Sequence, residues 1–467
     1  MINRLSLLLF LLLVRQTVLF AQTDLQDRID ALLNEDFLKT SEVGITVYDL
    51  TADKPLYNYQ DKKLYRPASV QKLITCITAL SFLNPESRFE TSLYYTGALK
   101  GDELEGDLYI VGGFDSEFDE EGMAKLVDLV VQSGIRKIHG KLLGDVSMKD
   151  SLYWGLGWSW DDTPYYFQPY LSPLMFHKGY VDVTARPGQG GALARISCVP
   201  ASSFYSVSNK TKSKRPSCGK FEVTRNWLDN GNEIIVRGDV SSVCTDRVNM
   251  YTSQDFFLHV FRERLSAKGI SVRGYAYADC PKGDKAVLLG SYHHTLGDVL
   301  LPALKRSDNL SAEAIFYHLA TNYSGKKRVT NEEAVEAIRF LIKKLKLNPE
   351  DYKIVDGSGV SLYDYISPEL LLTFLKYAYR NETIYPYLSG ALPVAGVDGT
   401  LRNRMRAGKA FNNVRAKTGS VTGISSLAGY AKAPDGHTLA FVIINQNVME
   451  QSKAKSFQNK FCEELCK

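Results

Sequence analysis

The sequence predicts an α/β protein whose sheet is at least partly antiparallel and whose middle is a long β-rich segment. Three observations predict it. Leu73 to Pro85 runs thirteen residues without a charge, too apolar all round for a surface helix, so it reads as a central, buried one. Two late strand patterns, Ile424 to Ala431 and Thr438 to Asn445, join through Pro434-Asp435-Gly436, a hairpin signal that argues against a doubly wound parallel sheet. Between about 87 and 290 the texture changes to short alternating runs separated by turn residues.

The elements follow in order. Met1 to Gln22 carries Arg4, the ten-residue apolar run Leu5 to Val14 and then Leu19-Phe20-Ala21, the layout of a secretory signal cleaved near Ala21 or Gln22. Ten residues are too few for a bilayer core of about 30 Å; a buried N-terminal helix is the alternative. The mature protein is therefore expected to be exported and soluble. A short helix is expected at 24 to 34, then a strand at Val43 to Leu50, where Val43, Ile45 and Val47 alternate with Gly44, Thr46 and Tyr48. Pro67 suits the first turn of the apolar helix. The middle segment shows strand alternation at Arg88 to Tyr95, Asp107 to Val111, Val181 to Ala185 and Glu233 to Gly238, with a turn at Asp229-Asn230-Gly231. Helical patterns return at 296 to 305, 310 to 322, 330 to 346 and 367 to 380, followed by strands at Phe411 to Thr418, 424 to 431 and 438 to 445.

The chain has 467 residues, room for two to four domains. With net charge +4, 45% hydrophobic and 23% charged residues, neither disorder nor a polycationic nucleic-acid binder fits. Seven cysteines in so long a chain are no disulfide scaffold. One or two bridges are expected among Cys198, Cys218, Cys244 and Cys280; Cys462 and Cys466 fall on a final helix, and Cys76 is the odd one. The seven histidines form no zinc-like cluster, although His293 and His294 are adjacent, so no metal or other cofactor is expected.

Acyl transfer needs a nucleophile and a base within reach, and Ser69-Val70-Gln71-Lys72 sets a hydroxyl and an amine three apart on one helical face. That spacing recurs at Ser217/Lys220, Ser324/Lys327 and Ser452/Lys455. Only Ser69 opens an apolar helix, which sets its hydroxyl at the positive end of the helix dipole and its lysine in low-dielectric surroundings. Ser307-Asp308-Asn309 and Lys417-Thr418-Gly419 each occur once and complete the order of motifs of penicillin-recognising serine enzymes. Taken alone, Ser307 and Asn309 also read as a helix cap, and Lys417-Thr418-Gly419 as an exposed strand end.

On these residues the sequence resembles the low-molecular-mass class C penicillin-binding proteins, the D-alanyl-D-alanine carboxypeptidase and endopeptidase family of peptidase type S13. Val355-Asp356-Gly357-Ser358-Gly359, Leu392 to Leu401 and Ser425 to Tyr430 are similar to that family's further signatures. Ser69 and Ser307 lie 238 residues apart, and the resemblance puts an inserted domain in that interval. It implies a β-lactamase or penicillin-binding-protein-like domain formed by 23–86 and 291–467, with 87–290 inserted. A serine β-lactamase, or a noncatalytic peptidoglycan or β-lactam binder, are the competing readings.

The resemblance implies peptidoglycan stem peptides and β-lactam antibiotics as partners, a periplasmic location and specific roles. Ser69 attacks; Lys72, made neutral by burial and by the facing charge of Lys417, is the base. Lys417 stays cationic and, with Thr418, holds the substrate carboxylate. Ser307 relays a proton, Asn309 bonds Lys72 and the substrate amide, and Gly419 lets the substrate strand come close. The backbone N–H groups of Ser69 and Ser420 form the oxyanion hole. Trp158, Asp161 and Tyr166, with Asp162 as the alternative acid, are expected to line a pocket for the diaminopimelate side chain; an aromatic loop packing on its neighbour is the other reading. Trimming a stem and cutting a cross-link both break a D-alanyl bond, so both remain open, as does oligomeric state.

Overall fold

Five antiparallel strands form the central sheet, in the order Arg415–Val421, Gly423–Lys432, Thr438–Val448, Glu42–Asp49, Lys54–Tyr59. The structure is a computed structural model that describes residues 24–213 and 219–467. The expected export signal at 1–22, Ser217 and Cys218 lie outside the described residues.

Both faces of this sheet are covered, which is why its strands read as nearly continuous apolar runs. Along Thr438–Val448, Ala440, Val442 and Ile444 face one core with the helices Gln71–Phe82, Leu296–Lys305, Asn309–Ser324, Asn331–Lys344 and Pro368–Tyr379. Leu439, Phe441 and Ile443 face another, closed by the final helix Gln451–Leu465 through Phe457 and Phe461. The period of two thus splits one strand between two cores. The apolar helix is buried at ten consecutive positions, Gln71 to Leu80. It stops at Phe82, short of Pro85, since the residue before a proline avoids helical backbone. The strand expected at Phe411 to Thr418 begins later, at Arg415, because 411–413 is a turn.

The segment between Arg88 and Thr295 holds the other sheets and a separate core. Its entering strand Arg88–Tyr95 pairs antiparallel with its leaving strand Val287–Thr295, Arg88 opposite Thr295. The chain therefore departs from and returns to the central domain side by side, and the leaving strand runs past residue 290. The segment is less purely β than its texture suggests, for it carries two helices, Glu120–Gln132 and Ser253–Ala267. The first is capped by Asp119 and buries Met123, Leu126, Val127 and Val130, a helical stripe.

The bridges expected between 198 and 280 do not form among Cys198, Cys244 and Cys280, which are free. Cys198 lies opposite Val183 and Cys244 opposite Ala185, on the two strands flanking Tyr180–Arg186. Two strand spacings, about 9.6 Å, part them, beyond the reach of a disulfide. Cys76, Cys462 and Cys466 are also free, and buried. Among the described residues no helix is long and apolar enough to cross a membrane.

Candidate active site

Ser69 sits in a single 3₁₀ turn, Ala68–Val70, that runs directly into the apolar helix. Ala68 just before it has φ +50°, a left-handed conformation costly for an alanine. One turn on, the Lys72 Nζ donates to Ser69 Oγ at 3.0 Å, Asn309 Oδ1 at 2.7 Å and the Ser358 carbonyl at 2.6 Å. An ammonium has three donors, and all are used. Lys72 is 0% exposed. Burial pulls its ammonium down to about 8, against the opposing pull of Asp356, Glu313 and Asp308.

The Lys72 acceptor Ser358 is held by a floor of buried acids that sequence reasoning did not single out. Glu313 Oε1 accepts the N–H groups of Gly357 and Ser358, and Asp356 those of Gly359 and Ser361. Asp364 accepts from Val355 N. Burial, then the charge of Asp356, push Glu313 up to about 8 and Asp364 well above the carboxylate range. Only the run Val355 to Gly359 carried a sequence signal for this floor.

Across the cleft, Lys417 Nζ donates to Ser307 Oγ and to the Thr418 carbonyl, each at 2.7 Å. Ser307 has φ +60°, a second strained residue at the site. Asp308 caps the helix Asn309–Ser324 through Ser311 N and pairs with Lys178 at 3.3 Å. Burial raises the Asp308 carboxyl, but Lys178 and the hydrogen bonds of Ser311 more than offset it, and the net shift is downward. The helix cap is thus Asp308, not Ser307 or Asn309, whose side chains meet Lys417 and Lys72 instead. Thr418 Oγ1 donates to Thr400 Oγ1 at 2.7 Å, and Ser420 is exposed on the strand edge. A Cβ at Gly419 would stand 2.1 Å from Ser426 Oγ, 2.9 Å from Pro67 O and 3.0 Å from Ser69 N. The edge strand thus abuts the serine turn with no room for a side chain.

Burial is the largest cause of the fall in Lys72, and burial, then the facing charge of Lys72, push Lys417 itself well down. The reason is placement, since Lys72 has three acids near it and Lys417 accepts help only from a hydroxyl and a carbonyl. Asn309 bonds Lys72 as expected, but its Nδ2 donates to Phe167 O at 2.6 Å, leaving one amide hydrogen for a ligand.

The residues expected to line a side-chain pocket separate. Trp158 is 6% exposed, belongs to the core of the central domain and gives its Nε1–H to Asp356 Oδ2 at 2.9 Å. It packs in that core, with its indole N–H satisfied inside. Asp161 is exposed, and neither it nor Asp162 lines the cavity described next. Tyr166, 43% exposed, does line it, a space of about 390 Å³ bounded also by Ser307 and Asn309. Of the other Ser-x-x-Lys copies, Ser324/Lys327 is spent on a surface ion pair with Asp279 and Ser452/Lys455 lies on the final helix. Among the described residues the one group with metal-like spacing, Glu103, Glu105 and His139, lies in the insertion beside Lys137.

The sequence model of the D-Ala-D-Ala carboxypeptidase 3 (S13) family matches residues 25–464. The chain belongs to that family. This S13 protein is a hydrolase by that membership, with a penicillin-binding-protein-like fold. It is 28% identical over 440 residues to a D-alanyl-D-alanine carboxypeptidase of Actinomadura sp. strain R39, covering 91% of this chain and 81% of that one. It is 26% identical over 424 residues to D-alanyl-D-alanine carboxypeptidase DacB of Haemophilus influenzae, covering 88% and 86%. The crystal structure of penicillin binding protein 4 from Haemophilus influenzae superposes with TM-score 0.81 at 23% identity, covering 94% of this chain and 98% of that one.

Proposed function

We propose that this S13 carboxypeptidase hydrolyses the bond between the two terminal D-alanines of peptidoglycan stem peptides through an ester on Ser69, and that penicillins acylate the same hydroxyl. The observation that carries the reading is a wholly buried amine, brought to about 8, that lies 3.0 Å from a hydroxyl at the cleft mouth. An ordinary lysine near 10.4 is too protonated to serve as base at neutral pH.

Neutral Lys72 takes the Ser69 proton as Oγ attacks the carbonyl carbon. The backbone N–H groups of Ser69 and Ser420 hold the developing oxyanion, a donor of this kind being worth about 2.7 to 4 kcal/mol. The C–N bond then breaks, and the proton taken up by Lys72 reaches the departing D-alanine nitrogen by way of the Ser307 hydroxyl, which leaves Lys72 neutral and Ser307 unchanged. Water then gives a proton to Lys72 as it attacks the ester carbonyl carbon, the ester C–O bond breaks, and Lys72 returns the proton to Ser69 Oγ as the shortened peptide leaves. Lys417 and Thr418 receive the terminal carboxylate, which gives Lys417 the counter-ion that it lacks in the free site. The bound carboxylate favours the charged form of Lys417, and that charge in turn disfavours the ammonium form of Lys72. The reading implies a protein exported to where peptidoglycan lies, with the periplasm as its compartment.

Incubation with purified stem peptides and cross-linked dimers, read by mass spectrometry, tests it. Free D-alanine is expected, and Ser69→Ala abolishes both its release and labelling by penicillin with the fold intact. Undiminished labelling of that variant puts the nucleophile elsewhere.

A further inference from the structure

Asn309 and Glu313 lie four apart on the helix Asn309–Ser324, so one turn sets both side chains on the same face. Each serves an acceptor of Lys72. Asn309 Oδ1 accepts from the Lys72 Nζ directly at 2.7 Å, whereas Glu313 works at one remove. Its Oε1 accepts from Gly357 N at 3.1 Å and Ser358 N at 2.9 Å, and the Ser358 carbonyl takes a Lys72 hydrogen at 2.6 Å. The turn so held has no slack. Thr75 Oγ1, one turn past Lys72 on the apolar helix, donates to Gly357 O at 2.8 Å. A Cβ at Gly357 would stand 2.6 Å from Phe316 Cβ, and one at Gly359 2.0 Å from the Ala68 carbonyl oxygen, beside the attacking serine. The apolar helix, the serine turn and the helix of the second motif therefore all close on residues 357–359. Glu313 itself is 2% exposed.

We propose that Glu313 is a positioning residue of the reaction: its carboxyl holds the Ser358 carbonyl on Lys72, and its ionisation sets how readily that amine gives up its proton. The inference rests on Lys72 being the base and deepens that reading. Holding the turn needs only an acceptor, which an amide supplies without the cost of burying an acid. The acid adds a charge, and a low-dielectric interior carries that charge to the ammonium. Burial, then the charge of Asp356, push Glu313 up to about 8, where Lys72 also titrates. As pH rises the carboxylate forms and favours the ammonium, so the two groups lose their protons in overlapping steps that belong to the pair. Asp356 faces both groups; Asp308, Cys76 and Lys417 also face Lys72, and Asp364, Tyr317 and Lys149 face Glu313. All of these remain in a Glu313 variant.

The pH profile of penicillin acylation tests it, with denaturant melts alongside. The wild-type rate is expected to rise with pH less steeply than one ionisation allows. Glu313→Gln keeps the acceptor and removes the charge: its rise steepens to that of a single group, and its midpoint falls by about one pH unit. Glu313→Ala removes the acceptor as well and lowers the plateau about tenfold, because the Ser358 carbonyl is no longer aimed at Lys72. A Glu313→Gln profile with the wild-type midpoint and steepness overturns the proposal, whatever the melts show, since a purely structural carboxyl changes stability alone. A wild-type plateau in folded Glu313→Ala overturns it too, and if that variant does not fold, Glu313→Gln decides. Failure of the base reading looks different: a wild-type rate flat across this range, or no acylation at all.

Discussion

Asn309 Nδ2 donates to the Phe167 carbonyl at 2.6 Å, while Oδ1 of the same side chain accepts from Lys72 at 2.7 Å. One amide therefore fastens the inserted segment to the helix that carries the base. Asn309→Ala removes an acceptor of Lys72 and leaves the Phe167 carbonyl without its donor. Penicillin acylation is expected to fall about 10²-fold, with a loss of about 1 to 3 kcal/mol in stability. Acylation kinetics with a labelled penicillin, beside a denaturant melt, separates the two effects. Unchanged acylation shows that Lys72 does not depend on this contact.

The protonation of Lys72 sets the pH dependence. The base must be neutral, so the acylation rate rises with pH and levels off above about 8, the value to which burial brings this amine. Asn309→Asp puts a negative charge against the ammonium, favours its charged form and moves that rise to higher pH. A pH profile of penicillin acylation measures both. A rate flat between pH 6 and about 9 excludes Lys72 as the titrating base.

Gly419 shows how little space the site leaves between its edge strand and the serine turn. A methyl group there meets Ser426 Oγ at 2.1 Å, and that hydroxyl is itself held by Pro67 O at 2.7 Å. Gly419→Ala is expected to cost about 1 to 3 kcal/mol by overpacking and about 10²-fold in acylation by displacing the donors around Ser69. Adding Ser426→Gly relieves the first contact and recovers stability, but not rate, because Pro67 O and Ser69 N remain at 2.9 and 3.0 Å. Full recovery of rate in the double variant shows that the clash, not the backbone approach, mattered.

The grouping of Ser69, Lys72, Ser307, Asn309 and Lys417 was legible in the sequence, because they fall in short motifs whose spacing is set by one helical turn or one strand edge. The acid floor was not legible. Glu313 is one residue of a helix, and its meaning comes from the Gly357 and Ser358 N–H groups it faces across the fold. Likewise Lys178 acquires its partner Asp308 only through the docking of the insertion. The helix Glu120–Gln132 was legible in principle, with Asp119 as cap and an apolar stripe, but the strands and turns around it dominate the texture. Only the family resemblance points to Trp158 as a pocket wall. Its fate depends on Asp356, 198 residues away.

That pairing predicts what the aromatic loop does. If Trp158 served the substrate, Trp158→Phe would change selectivity between peptides; as a core residue bonded to Asp356, it should change stability instead. Phenylalanine keeps most of the buried ring and deletes the Nε1 donor, while Asp356 Oδ2 keeps Ser361 N at 2.8 Å. The expected loss is about 1 to 3 kcal/mol, since the deleted bond ran to a buried carboxylate. Asp356 also orders the turn that presents the Ser358 carbonyl to Lys72, so any loss of rate should be equal across substrates. Thermal melts and kcat/KM on peptides with and without a side-chain amine check this, and a selective loss on the amine-bearing peptide returns Trp158 to the pocket.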